Sequence, residues 1–116
     1  LKLAEDRDEI RVVNDEILSP TFTYDIAVQL EKLTGTKEYG LYHMTSRGSC
    51  SWYEFAEQIF HLTDARVKLS IALPEEFSSK VPRPKYSVLE NANLMAKGMD
   101  IMPHWSESLK QYLQEI

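Results

Sequence analysis

Cysteine is nearly missing from this sequence: Cys50 stands alone, so no disulfide can form within the chain. A reducing compartment is the natural setting, and the cytoplasm is the expected location. Cys50 itself is read as a small buried residue rather than a nucleophile. Glycine is scarce as well, limited to Gly35, Gly40, Gly48 and Gly98. No three of these stand close enough to bring a backbone against a pyrophosphate between a strand and a helix, and no phosphate-cradling loop is present. The histidines, His43, His61 and His104, lack the spacing of metal ligands. There is no Gly-x-Ser-x-Gly elbow, which removes one route to nucleophilic hydrolysis. No apolar run approaches the roughly 18 residues needed to span a bilayer, so a soluble chain without membrane contact is expected. An excess of basic residues is lacking too. Thirteen Lys and Arg against eighteen Asp and Glu give a net charge of -5. That disfavours nucleic acid as a partner, although two or three local cations can still grip a single nucleotide.

What is present is the composition of one globular domain: 116 residues, 43% hydrophobic and 27% charged. Residues 1–9 read as the end of a helix with neither Met nor an N-cap before it, which suggests a fragment of a longer protein. Ile10-Arg11-Val12-Val13 reads as a strand, and residues 14–21 as a loop stiffened by Pro20. Thr23 is a candidate N-cap for a helix with Ile26, Ala27, Leu30 and Leu33 on its apolar face, ending at Gly35. Residues 40–45 read as a strand. Ser51-Trp52-Tyr53-Glu54 has the form of a capping box, in which serine and glutamate each satisfy an unpaired backbone N–H. Trp52, Phe55, Ala56, Ile59 and Leu62 follow at helical spacing, and Trp52 is assigned to the core. Val67, Leu69 and Ile71 alternate with polar residues as a half-buried strand. Pro74-Glu75-Glu76-Phe77 reads as one helical turn, residues 86–89 as a short strand, and Asn91 as the cap of a small helix that stops at Gly98. A last helix opens at Pro103 or a neighbour and carries Trp105, Leu109, Tyr112, Leu113 and Ile116. The sum is a small mixed α/β domain with short strands and four to five helices, too few strands for a doubly wound fold.

Three segments carry a family resemblance. Val12-Val13-Asn14-Asp15-Glu16-Ile17-Leu18-Ser19-Pro20-Thr21 is similar to a Val-Val-x-Asp-Gln-x-Gly-x-Pro-Thr pattern. Gly40-Leu41-Tyr42-His43, running on to Trp52, Phe55 and Ala56, matches Gly-x-Tyr-His and Trp-x-x-Phe-Ala. Arg83-Pro84-Lys85-Tyr86-Ser87 with Leu89 matches Arg-Pro-x-x-Ser-x-Leu. In order and spacing they cover nearly the whole chain. Together they resemble the extended short-chain dehydrogenase/reductases that reduce nucleotide sugars, most closely the dTDP-4-dehydrorhamnose reductases. The departures are Glu16 for glutamine, an acceptor-only charge in place of an amide, and Leu18 for glycine, which takes up room near the backbone.

The resemblance implies that residues 1–116 form a single C-terminal substrate-binding domain. A preceding Rossmann domain would hold NADPH or NADH and carry a catalytic Tyr-x-x-x-Lys pair. None of the six tyrosines here has lysine four residues on, so this chain would contain no catalytic, cofactor-binding or metal-binding residues and would be inactive alone. The whole enzyme would reduce dTDP-4-dehydro-6-deoxy-L-mannose to dTDP-L-rhamnose with NADPH. The implied partners are the dTDP-sugar, the Rossmann domain of the same chain and, through exposed apolar surface, a second copy in a homodimer. Arg83 is the foremost substrate-binding candidate, since a guanidinium can hold a diphosphate by two parallel N–H bonds. Ser19 and Thr21 offer hydroxyls in the first motif, Glu16 can accept from sugar hydroxyls, and Ser87 belongs to the third motif. Lys80 and Lys85 can add attraction, and Asp15 can bond a sugar hydroxyl. Two other readings stand beside this one: a related nucleotide-sugar reductase of other specificity, and a non-catalytic reductase-like regulatory subunit. A free-standing nucleotide-binding module is a third.

Overall fold

The computed structural model describes residues 1–77 and 81–116. In chain order the elements are α1 (Lys2–Asp6), β1 (Glu9–Val13), β2 (Ile17–Leu18), α2 (Thr23–Thr34), β3 (Cys50–Ser51), α3 (Trp52–Thr63), β4 (Lys68–Ala72), a one-turn 3-10 helix (Pro74–Phe77), α4 (Ala92–Ala96) and α5 (Trp105–Glu115). This is a mixed α/β chain with five α-helices and short strands among the described residues, in line with the sequence. The elements divide into two compact units, Leu1–Leu18 with Cys50–Ser87 and Ser19–Ser49 with Val88–Ile116. Among the described residues no helix is long and apolar enough to cross a membrane.

In the first unit β1 and β4 pair in parallel, with Glu9 opposite Lys68 and Val13 opposite Ala72. Parallel neighbours need a crossover, and α3, which lies between them in sequence, contacts both strands. Its start is fixed as the sequence requires. Ser51 Oγ accepts from Glu54 N at 3.1 Å, and Glu54 Oε2 accepts from Ser51 N at 2.7 Å. Ser51 Oγ also donates to Asn14 Oδ1 at 2.5 Å, which ties the cap to the end of β1. β2 pairs antiparallel with β3, Ile17 with Ser51 and Leu18 with Cys50. Residues 14–21 therefore contain a short strand where a loop was expected. Conversely, the strand expected over residues 86–89 is reduced to one parallel bridge, Ile17 with Tyr86, because its partner β2 is only two residues long. The alternation expected in β4 is incomplete: Ala72 is buried but Ile71 is 50% exposed. Two strands make too narrow a sheet to bury both of its faces.

The second unit departs further from the pattern. α2 begins at Thr23 itself, with Phe22 in the N-cap position and no side-chain cap. Its first turn is anchored instead by Asp25, whose buried carboxylate accepts from Ser108 Oγ at 2.7 Å. The buried side chains of α2 are Asp25 and Gln29, while Leu30 is exposed. Gln29 is enclosed because its Nε2 donates to Met99 O (3.0 Å) and its Oε1 accepts from Ile101 N (2.8 Å), satisfying irregular backbone. No strand forms over residues 40–45. Asparagines supply the hydrogen bonds that a neighbouring strand would have made. Asn91 Oδ1 accepts from Thr45 N at 2.9 Å, Asn91 Nδ2 donates to Thr45 O at 2.8 Å, and Asn93 Nδ2 donates to Leu41 O at 2.9 Å. Asn91 is thereby drawn away from capping α4, and no side-chain cap is made there. The end of α4 follows expectation. Gly98 has φ +65°, Gly98 N donates to Met95 O at 3.0 Å, and Met99 N donates to Leu94 O at 2.9 Å. Pro103's neighbour His104 caps α5, its Nδ1 accepting from Ser106 N at 3.3 Å. Leu94, Met99, Met102 and Leu109 are the buried apolar side chains of this unit among the described residues.

Two outcomes test these assignments. Replacing Ser51 by alanine removes both its cap bond and its tie to Asn14, and should lower the unfolding free energy by about 1–2 kcal/mol in urea titration; an unchanged midpoint would show that the capping box does not hold α3. Cys50 is 2% exposed, and burial, then the charge of Glu54, pushes its thiol up to about 12. Iodoacetamide at mildly alkaline pH should therefore leave the folded chain unmodified and label it after denaturation; rapid labelling of the native chain would contradict that burial.

Candidate functional site

The end of β1, the turn after it, one face of α3, the 3-10 helix and residues 81–85 enclose a groove of about 570 Å³ in the first unit. Its walls are largely apolar. Trp52 and Phe55 meet edge to face, with ring centres 6.1 Å apart and planes at 74°. Ala56 and Ile59 continue that wall along α3, and Pro74 and Phe77 contribute from the 3-10 helix. The assignment of Trp52 to the core is corrected here: it is 37% exposed and lines the groove. Helical side chains lean toward the N-terminus, so an indole in the first turn projects past the end of its own helix.

Three cations and two carboxylates line the same space: Arg11, Arg83 and Lys85 with Asp15 and Glu16. Arg11 Nη2 is bonded to Glu76 Oε2 at 2.9 Å and to Ile71 O at 3.3 Å. The same Glu76 oxygen accepts from Leu73 N at 2.6 Å, so one carboxylate fastens the 3-10 helix to the sheet. The hydrogen bond from Arg11, followed by that from Leu73, holds the Glu76 carboxyl below its ordinary value. Lys85 is ion-paired with Asp15. That bond, partly offset by desolvation and aided by the charges of Asp15 and Glu16, raises the Lys85 ammonium above its ordinary value. Glu16 Oε2 accepts from Trp52 Nε1 at 3.2 Å. Arg83 enters none of the ion pairs among the described residues. Arg83 is exposed and lines the groove.

The structure brings Arg83 and Glu16 to one groove. Ser87 belongs to the same unit but is spent on the backbone of β2: its N–H donates to Ile17 O at 3.0 Å and its Oγ reaches that oxygen at 3.4 Å. Ser19 and Thr21 belong to the second unit. There Ser19 Oγ donates to Gly48 O at 2.6 Å, while Thr21 Oγ1 donates to Ser19 O at 2.9 Å and accepts from Ser46 N at 3.1 Å. Gly48 has φ +74°, and a Cβ there would lie 2.3 Å from His104 Nε2, so only glycine fits. Asp15, weighed as a partner for sugar hydroxyls, is taken by Lys85. Lys80 lies outside the described residues. No group of metal-binding side chains occurs among the described residues. Sequence reasoning missed Arg11, Trp52, Phe55 and Phe77 as groove residues. A signal was available for Trp52, a large amphipathic ring placed directly after the capping serine; for Arg11, within a β-branched run, there was none.

All 116 residues match the RmlD substrate binding domain family. The spore coat polysaccharide biosynthesis protein SpsK of Bacillus subtilis (strain 168) is 45% identical over 99% of this chain and 40% of its own length. Among solved structures, a dTDP-4-dehydrorhamnose reductase from Clostridium acetobutylicum ATCC 824 superposes with a TM-score of 0.93 at 44% identity, covering 97% of this chain and 40% of that one. The dTDP-4-dehydrorhamnose reductase of Bacillus anthracis str. Ames, in complex with NADP, also gives 0.93 at 41% identity, over 99% of this chain and 41% of that one. The chain thus spans about 40% of the length of the curated relatives it matches.

The Arg11–Glu76 tie should show itself in acid. Because the folded-state pKa of Glu76 is depressed, the tie's contribution is fully present above the unfolded value near 4.5 and is lost as pH falls through the folded value. Glu76→Gln should therefore be less stable than wild type near neutrality, with the two urea midpoints converging below pH 4.5. A gap that stays constant through the acid range would remove the ionic tie from the account.

Proposed function

The chain belongs to the RmlD substrate binding domain family, and from that membership we propose that it holds the substrate of a nucleotide-sugar reductase. The observation that carries this reading is Arg83, a cation without an ion-pair partner among the described residues, on a groove that Trp52 and Phe55 also line. A nucleoside diphosphate sugar presents those two needs together, an anion for a guanidinium and flat rings for an aromatic wall. In this proposal Arg83 grips the diphosphate and Glu16 accepts from ligand hydroxyls. Ser19, Thr21 and Ser87 have hydroxyl hydrogens directed at backbone carbonyls, so what they offer a ligand is lone pairs.

The whole protein, on this reading, reduces dTDP-4-dehydro-6-deoxy-L-mannose to dTDP-L-rhamnose. NADPH, bound by the whole protein, would supply the hydride for the C4 ketone. Residues 1–116 act as one substrate-binding domain whose share is to bind and orient the sugar, which lowers the barrier by fixing reacting groups in place. The cofactor is held elsewhere, by a Rossmann domain of the same cytoplasmic protein. In keeping with this, β3 runs into α3 through Cys50-Ser51-Trp52, with no glycine where a pyrophosphate would have to approach the backbone. A homodimer and the absence of nucleic-acid or membrane partners belong to the same proposal. A second reading keeps the reductase class and changes the sugar. It is favoured by Glu16 and Leu18 in the first motif, where the pattern it resembles has glutamine and glycine.

Following NADPH absorbance with the full-length protein and dTDP-4-dehydro-6-deoxy-L-mannose tests the proposal. Arg83→Ala should raise KM about 10- to 100-fold, the loss of one charge-assisted contact, and Arg83→Lys should recover part of it. No oxidation of NADPH with this sugar, but oxidation with another dTDP-hexulose, would select the second reading. No oxidation with any would overturn the reductase.

A further inference from the structure

Glu16 is a groove carboxylate that enters no ion pair among the described residues, although its charge is felt by Lys85. The ion pairs of the first unit, among the described residues, join Arg11 to Glu76, Lys68 to Glu9 and Lys85 to Asp15. What Glu16 does bond is the indole N–H of Trp52, at 3.2 Å across 36 residues of sequence. The contact follows from strand register. β2 and β3 pair antiparallel with Leu18 opposite Cys50 and Ile17 opposite Ser51. Continuing by one position sets Glu16 opposite Trp52, at the point where β3 gives way to α3. Both backbones are therefore fixed next to one rung, and the side-chain bond closes the gap between them.

A half-exposed tryptophan left to itself can turn about two side-chain bonds. Trp52 has two side-chain contacts that restrain it, the T-shaped contact with Phe55 and the hydrogen bond to the oxygen of Glu16. The geometry points to Glu16 as a positioning residue, whose carboxylate oxygen fixes the Trp52 indole as a rigid platform for the ring face of a bound nucleotide sugar. This deepens the reading in the preceding subsection and rests on it. The bond uses only an acceptor. Glutamine at position 16 keeps an acceptor oxygen and should serve as well, whereas alanine should free the ring. A freed platform weakens ground state and transition state alike, so the loss falls on KM rather than kcat.

The test uses the full-length protein with Glu16→Ala and Glu16→Gln, the indole N–H resonance of Trp52 being assigned by its disappearance in Trp52→Phe. The expected result is a resonance displaced and broadened in Glu16→Ala and near its original place in Glu16→Gln. With the dTDP-hexulose as substrate, KM should rise about 5- to 10-fold in Glu16→Ala, by more than kcat falls, and Glu16→Gln should recover most of that loss. An undisturbed resonance in Glu16→Ala overturns the proposal, as does a Glu16→Gln protein as impaired as the alanine variant, which would place the effect in the charge. A wild-type protein inactive with every dTDP-hexulose defeats the reductase reading instead, and the resonance then decides by itself whether Glu16 fixes the ring.

Discussion

Ile17 holds the first unit's site together. Its N–H donates to Lys85 O at 2.9 Å and its carbonyl accepts from Ser87 N at 3.0 Å, while in the antiparallel direction it pairs with Ser51. One residue thereby joins the turn after β1, the start of α3 and the segment that carries Arg83, three stretches far apart in sequence. None of them has enough regular structure to be placed alone: β2 and β3 are two residues each, and the 85–87 segment makes a single bridge. Backbone hydrogen bonds in such a short ladder gain little singly. Their value here is geometric, because a one-residue slip of β2 would turn Glu16 away from Trp52 and carry the ladder bonds with it.

The charges of the groove are sorted by this clamp. Arg11 and Lys85 each meet a carboxylate on a neighbouring segment, and those pairs act as fasteners for the 3-10 helix and for the 81–85 stretch. Exposed pairs of this kind contribute little stability. They leave Arg11 and Lys85 occupied, whereas Arg83 enters no ion pair among the described residues. Arg83 is exposed and lines the same groove as the apolar side chains of α3. A chain of net charge -5 can present a cationic point in this way without a basic surface.

The second unit shows how side chains replace missing strands. Asn91, Asn93 and Gln29 bond the backbone at Thr45, Leu41, Met99 and Ile101, where a sheet neighbour would ordinarily do so. Amides suit this task because each carries both donors and an acceptor in one plane, like a peptide group. Asp25 and Ser108 add a buried bond between α2 and α5. These polar residues occupy positions that an apolar pattern assigns to Leu or Ile, which is why Leu30 is outside and Gln29 inside.

Local signals were legible wherever the physics is local. The capping box at Ser51 and Glu54, the turn at Pro74, and the left-handed glycine after α4 each involve residues within a few positions of one another, and each forms as the sequence dictates. The ordered motifs likewise placed the chain in its family, and Arg83 and Glu16 were named from them. Tertiary structure alone decided the rest. Which cations are free depends on partners 65 to 70 residues away, Glu76 for Arg11 and Asp15 for Lys85. Whether Trp52 is core or wall depends on what faces its helix end, and the strand expected over residues 40–45 yields to asparagines 46 and 52 residues distant. Periodicity reports the environment of an isolated helix or strand. It carries no record of the long-range hydrogen bonds that settle which polar groups are satisfied inside and which are left to face a ligand.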